Sequence, residues 1–169
     1  MSIKEAAWPF PYCVRQSHWA HEGAMTSISE FLAADHYHGD ELFAAAAQDA
    51  ERGDWAGCRM RLDAFLGALR YHMAIEEQAL FPAFEQATGI TAGPTQVMRD
   101  EHQQLLALLD DVAAAIAAHD AARFGGAAQS FTTLMTSHSA KEESVLYPMC
   151  DEVLPELSGE KLAEMVSRP

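Results

Sequence analysis

Histidine and glutamate recur in this chain at a spacing that chelates. The stretch from His72 to Pro82 and the stretch from His138 to Pro148 both read His-x-x-x-Glu-Glu-x-x-Leu-aromatic-Pro. In a helix, residues four apart lie nearly above one another. Each phrase therefore aims an imidazole and a carboxylate, His72 with Glu76 and His138 with Glu142, in one direction. One copy is weak evidence, because the spacing is common by chance. Two copies with the same flanks are far stronger. His36 precedes His72 by the same 36 residues that separate His102 from His138, so His36, His72 and Glu76 map onto His102, His138 and Glu142 at a constant offset of 66. Four imidazoles and two carboxylates suit two first-row metal ions, and the carboxylates shift preference towards iron or manganese. The assignment is His36 and His72 on one ion, His102 and His138 on the other, with Glu76 and Glu142 bridging. An oxo or hydroxo bridge supplies a further donor when the metals are oxidised. About one position per metal is then left for a small ligand.

These residues need a scaffold that brings four helices together. The offset extends to Asp54 and Asp120, to Phe65 and Phe131, and to the acids Asp35 and Glu101 before the leading histidines. This is a duplicated helix hairpin. Two hairpins packed with their ligand faces inward make an all-α, antiparallel up-down four-helix bundle. Ser27 and Glu30 form a capping-box pattern that opens a first helix at about residue 28, running to about 51. Asp54 caps a second helix running to about 87. Gly93-Pro94 opens a third, and Asp120 caps a fourth. Pro82 and Pro148 should kink their helices, or end the regular part, one turn beyond the ligands. The expected organisation is an N-terminal extension over residues 1–25, poorly structured and holding His18 and His21, then the bundle over 26–156. A short terminal helix or tail covers 157–169.

Composition agrees with one helical domain. The chain has 169 residues, nearly half apolar and rich in alanine. A formal net charge of −14 argues against nucleic acid or an anionic membrane surface as partner. Cys13, Cys58 and Cys150 are scattered and odd in number. They argue against a disulfide framework and fit the reducing cytoplasm. No apolar run is long enough to span a membrane, and no signal-peptide pattern opens the chain.

Other polar residues near the phrases have plainer readings. Glu77 and Glu143 lie about 100° round the helix from the ligands and read as solvated or salt-bridged. His38 lies on another face from His36 and reads as surface, or as support for a ligand from outside. Asp40, one turn beyond His36, either hydrogen-bonds a ligand imidazole or pairs at the bundle's end. Phe81 and Tyr147 read as core, and Met98 and Met135 as packing. Leu80, Leu146, Phe65 and Phe131 are expected to line the access route.

The pattern H…HxxxE…H…HxxxE, at His36, His72, Glu76, His102, His138 and Glu142, resembles the hemerythrin-like family, the HHE cation-binding domains. The resemblance covers about residues 28–154. It implies a four-helix bundle around a non-haem di-iron centre, with manganese or mixed iron and manganese as alternatives. It implies a diatomic or peroxide ligand: O₂, NO or H₂O₂. Oxygen-carrying hemerythrin has a second histidine four residues after the leading one of its third helix, where this chain has Leu106, and ends its last motif in H-x-x-x-x-D. One nitrogen ligand is thus missing. The more open pair suits reaction with O₂ or peroxide, or sensing, in oxidative or nitrosative stress, better than simple O₂ carriage. An oxidoreductase would turn its ligand over. A sensor would signal through a protein partner. A storage or delivery protein would release its iron easily.

Overall fold

The structure, a computed structural model, describes residues 27–167. The expected extension over residues 1–25, with His18 and His21, lies outside the described residues. Those residues form helices and no strand: α1 (Ile28–Glu51), α2 (Trp55–Ile75), α3 (Phe81–Thr88), α4 (Pro94–Ala117), α5 (Ala121–Lys141), α6 (Tyr147–Val153) and α7 (Gly159–Ser167). Two wide helical turns, Glu76–Leu80 and Glu142–Leu146, join α2 to α3 and α5 to α6. The chain thus runs as four long rods in two hairpins, α1 with α2 and α4 with α5.

The caps act as the sequence predicts. Ser27 Oγ accepts from Glu30 N–H at 3.1 Å, and the Glu30 carboxylate accepts from Ser27 N–H. Asp54 caps α2 through Gly57 N–H at 2.9 Å, and its twin Asp120 caps α5 through Arg123 N–H at 3.0 Å. Gly89 ends α3 with φ 75°, a left-handed conformation that costs glycine little.

The prolines act earlier than expected. The disturbance begins at Glu76 and Glu142 themselves, before Pro82 and Pro148, not one turn beyond the ligands. A proline has no N–H to give, and its ring would meet the carbonyl four residues back. Widening the preceding turn to five-residue spacing absorbs both problems. Phe81 N–H reaches Glu76 O, and Tyr147 N–H reaches Glu142 O.

Two apolar clusters fill the bundle. One holds Phe43, Leu62, Phe65, Leu105, Leu109, Phe124 and Phe131, towards the hairpin turns. The other holds Ile28, Leu32, Leu80, Phe81, Phe84, Leu146 and Tyr147. Helix α7 closes this second end. Its Leu162 is fully buried there, and Gly159 meets the Phe31 ring so closely that a Cβ would lie 2.1 Å from it. Asp151, from α6, accepts from Ile28 N–H at 2.8 Å and Ser29 Oγ–H at 2.5 Å, tying the start of α1 to the last rod. Leu162→Ala should cost about 2–5 kcal/mol of stability, read as a lower Tm. An unchanged Tm would show that α7 contributes nothing to the second cluster.

Candidate metal centre

Between the two apolar clusters lies a layer of buried polar side chains. His36, His72, Glu76, His102, His138 and Glu142 are each at most 6% exposed. Each rod contributes: His36 from α1, His72 and Glu76 from the α2 rod, His102 from α4, His138 and Glu142 from the α5 rod. The structure thus brings all six sequence-predicted residues together.

Their inner atoms converge. His36 Nε2 is 3.1 Å from His72 Nε2 and 3.2 Å from Glu142 Oε2. His102 Nε2 is 3.2 Å from Glu76 Oε2, and His138 Nε2 is 3.1 Å from Glu142 Oε1. His72 Nε2 is 3.5 Å from Glu76 Oε2. The groups His36–His72–Glu142 and His102–His138–Glu142 each offer ligand atoms within 4.8 Å of one another. Close as they are, Glu76 Oε2, His102 Nε2 and Glu142 Oε1 make no hydrogen bond. Leaving buried polar atoms unpaired is costly. Donors that approach without bonding are aimed at a shared centre, and a cation there would satisfy them all. The donor set fits a metal on this observation.

The outer ring nitrogens are held by carboxylates. His36 Nδ1 lies 2.7 Å from Glu143 Oε1, and His102 Nδ1 lies 2.6 Å from Glu77 Oε1. These contacts cross from one hairpin to the other and obey the 66-residue offset. His138 Nδ1 lies 3.1 Å from Glu101 Oε2, and its twin His72 Nδ1 stands 3.7 Å from Asp35 Oδ2. Lys141 in turn pairs with Glu101. A carboxylate on Nδ1 fixes the tautomer that turns the Nε2 lone pair inward, and raises its basicity. Glu77 and Glu143 are therefore not simply solvated. The doubled glutamate in both phrases was the signal for them.

Tyr147 is the other residue that helical phasing misplaces. Five residues on from Glu142, an α-helix would turn it about 140° away. The wide turn instead stacks it over Glu142. Its ring is fully buried, and its hydroxyl donates to Glu76 Oε1 at 2.8 Å, with Glu142 Oε2 at 3.2 Å. It is both core and site. Its twin Phe81 packs against His102 at 6.1 Å between centroids.

A groove of about 720 Å³ opens beside the site, lined by Asp35, His36, Asp40, Phe65, Phe131 and Thr132 among others. Gly39, Ala68, Ala128 and Thr132 leave it open. At the 66-residue offset, the opposite face carries Leu105, Leu134, Leu62 and Leu66, which pack in the first apolar cluster. Phe65 and Phe131 line this groove. Leu80 and Leu146 do not, being buried in the second cluster. Asp40 stands in the groove wall, where burial raises its pKa, His36 opposes the rise and Glu143 adds to it. His38 faces solvent.

Protons take the cation's place where no metal is bound. Burial pushes His36 down, but hydrogen bonds and charge from Glu142 and Glu143 outweigh it and raise the imidazole to about 9. His102 rises to about 9 in the same way, burial being outweighed by Glu76 and Glu77. Burial pushes Glu142 up, and the imidazoles of His138 and His36 close beside it pull it well below its ordinary value.

The chain matches the hemerythrin HHE cation-binding domain over residues 27–150. It belongs to that family. Three uncharacterized mycobacterial proteins, one from Mycobacterium bovis and two from strains of Mycobacterium tuberculosis, are each 33% identical to it over 102 residues. The match covers 56% of this chain and 39% of each relative, so the chain spans well under half their length. No solved structure matches it significantly. Among the described residues no helix is long and apolar enough to cross a membrane.

A hemerythrin-like site of this kind should show a distinctive pH response once stripped of metal. His36 and His102 are raised from 6.5 to about 9, so their stabilisation is complete below about pH 6.5 and fades as pH rises through about 9. Thermal melting of the stripped protein should show Tm falling across that window. The metal-loaded protein should not show the fall, because its imidazoles are neutral ligands. A stripped protein with a flat profile would contradict the protonated pairing.

Proposed function

We propose that this chain holds two iron ions, with manganese as the alternative metal. His36 and His72 hold one, His102 and His138 the other, and Glu76 and Glu142 bridge them. The centre binds or reacts with O₂, peroxide or NO, in protection against oxidative or nitrosative stress or in sensing it. The observation that carries this reading is the buried layer of six His and Glu side chains in which Glu76 Oε2, His102 Nε2 and Glu142 Oε1 converge without a hydrogen bond. Bound iron would supply a Lewis-acid position and electrons for a small oxygen or nitrogen ligand.

The chain's own residues do the rest. Glu77, Glu143 and Glu101 hold three imidazoles from behind, with Asp35 near the fourth. The two apolar clusters keep bulk water from either side of the layer. The open groove gives a small molecule a route to the His36 and His72 edge. A net charge of −14 and the absence of a long apolar helix among the described residues support a reading without nucleic acid or membrane. The buried free thiols of Cys58 and Cys150 support a reducing, cytoplasmic setting. The acids Asp35 and Asp40 in the groove wall favour one second reading, iron storage or delivery, because they would draw cations inward.

Two experiments separate these readings. Peroxide added to the iron-loaded chain should be consumed over many turnovers by an oxidoreductase, and should give a lasting optical change without turnover in a binding protein. Rapid loss of iron to a chelator, with no response to peroxide, O₂ or NO, would favour storage. In the second experiment, Glu76→Ala or Glu142→Ala should lower metal content at both positions, whereas His36→Ala should mainly loosen one. Loss of a single metal from each of these variants alike would contradict bridging.

A further inference from the structure

The two halves of the site repeat each other at the six proposed ligands and differ at the aromatic residue beside them. Tyr147 stands where the other half has Phe81. Both are brought over their glutamates by the same wide turn. The phenylalanine presents a ring edge. The tyrosine presents an oxygen.

That oxygen sits among the inner donors rather than behind them. It lies 2.8 Å from Glu76 Oε1 and 3.2 Å from Glu142 Oε2. It lies 3.4 Å from both His36 Nε2 and His72 Nε2. Metal–donor bonds of about 2.1 Å in an octahedral set put neighbouring donors about 3 Å apart. The phenol oxygen therefore keeps edge-like distances to four other donors at once. A single phenol proton can serve only one of the two carboxylates. A cation can hold all five donors together. The other tyrosines among the described residues are placed differently: Tyr37 is exposed and Tyr71 half-buried.

We propose that Tyr147 is itself a metal ligand, its phenolate oxygen joining His36, His72 and the bridging carboxylates on one ion. The inference rests on the dimetal reading above. On binding, the phenol exchanges its O–H bond for an O–metal bond, and the proton leaves to water. The two metals are then unequal. One, on the His36 and His72 side where the groove opens, has a fifth protein donor, and the other, facing Phe81, has four.

The test is the visible spectrum of the full chain, loaded with iron and oxidised. A phenolate bound to ferric iron gives a charge-transfer band in the visible, which imidazole and carboxylate ligands do not. The wild type should show this band. Resonance Raman excitation within it should reveal phenolate ring modes. Tyr147→Phe should lose the band and keep its iron, since the fold already accepts phenylalanine at the twin position. A wild type that holds two irons and shows neither band nor ring modes would overturn the proposal, as would a Tyr147→Phe protein that keeps the band. The wild-type Raman result decides the matter if the variant fails to fold. A chain that takes up no iron would overturn the dimetal reading and this one together.

Discussion

The structure turns on a layer of ionisable side chains placed where water does not reach. Glu76, His102 and Glu142 are fully buried, and His36, His72 and His138 nearly so. Charge buried without compensation is among the most expensive features a fold can carry. Here compensation comes in two rings. The inner one, four Nε2 atoms and two carboxylates, is short of hydrogen bonds. The outer one pairs three imidazoles with carboxylates nearer the surface. A cation at the centre completes the first ring and is held in place by the second. The apolar clusters on either side make the arrangement rigid by filling the bundle above and below it.

The duplicated hairpin gives this layer its near twofold symmetry, and the departures from symmetry are as informative. On one face, Gly39, Ala68, Ala128 and Thr132 leave a groove where the other carries leucines. Inside, Tyr147 puts a hydroxyl where Phe81 puts carbon. Both departures concern the His36 and His72 half. A near-symmetric scaffold therefore carries an unsymmetric site.

Much of this was legible in the residues alone. The offset of 66 gave the hairpins, the six buried His and Glu residues of the layer and the pairing of Asp54 with Asp120 as caps. The start of α1 followed from Ser27 and Glu30. The position of Tyr147 was hidden by the wide turns. Regular α-helical phasing sends Tyr147 away from Glu142, and the five-residue spacing imposed ahead of Pro148 brings it back. The proline was visible, but its effect on the preceding turn was not. Glu77 and Glu143 are ion-paired, one of the two readings the sequence offered, but their partners were hidden because a helix wheel knows nothing of the facing hairpin. They reach across to His102 and His36 on other rods. The groove depends on which small residues face one another across α1, α2 and α5, which is a tertiary fact.

The central claim is that the buried layer is a paired metal site. Anaerobic titration of the metal-stripped chain with Fe²⁺, followed by gel filtration and metal analysis, tests it most directly. A paired site saturates at two ions per chain, one for each of the two convergent donor groups. Saturation at one ion, or no retained iron at all, would contradict it.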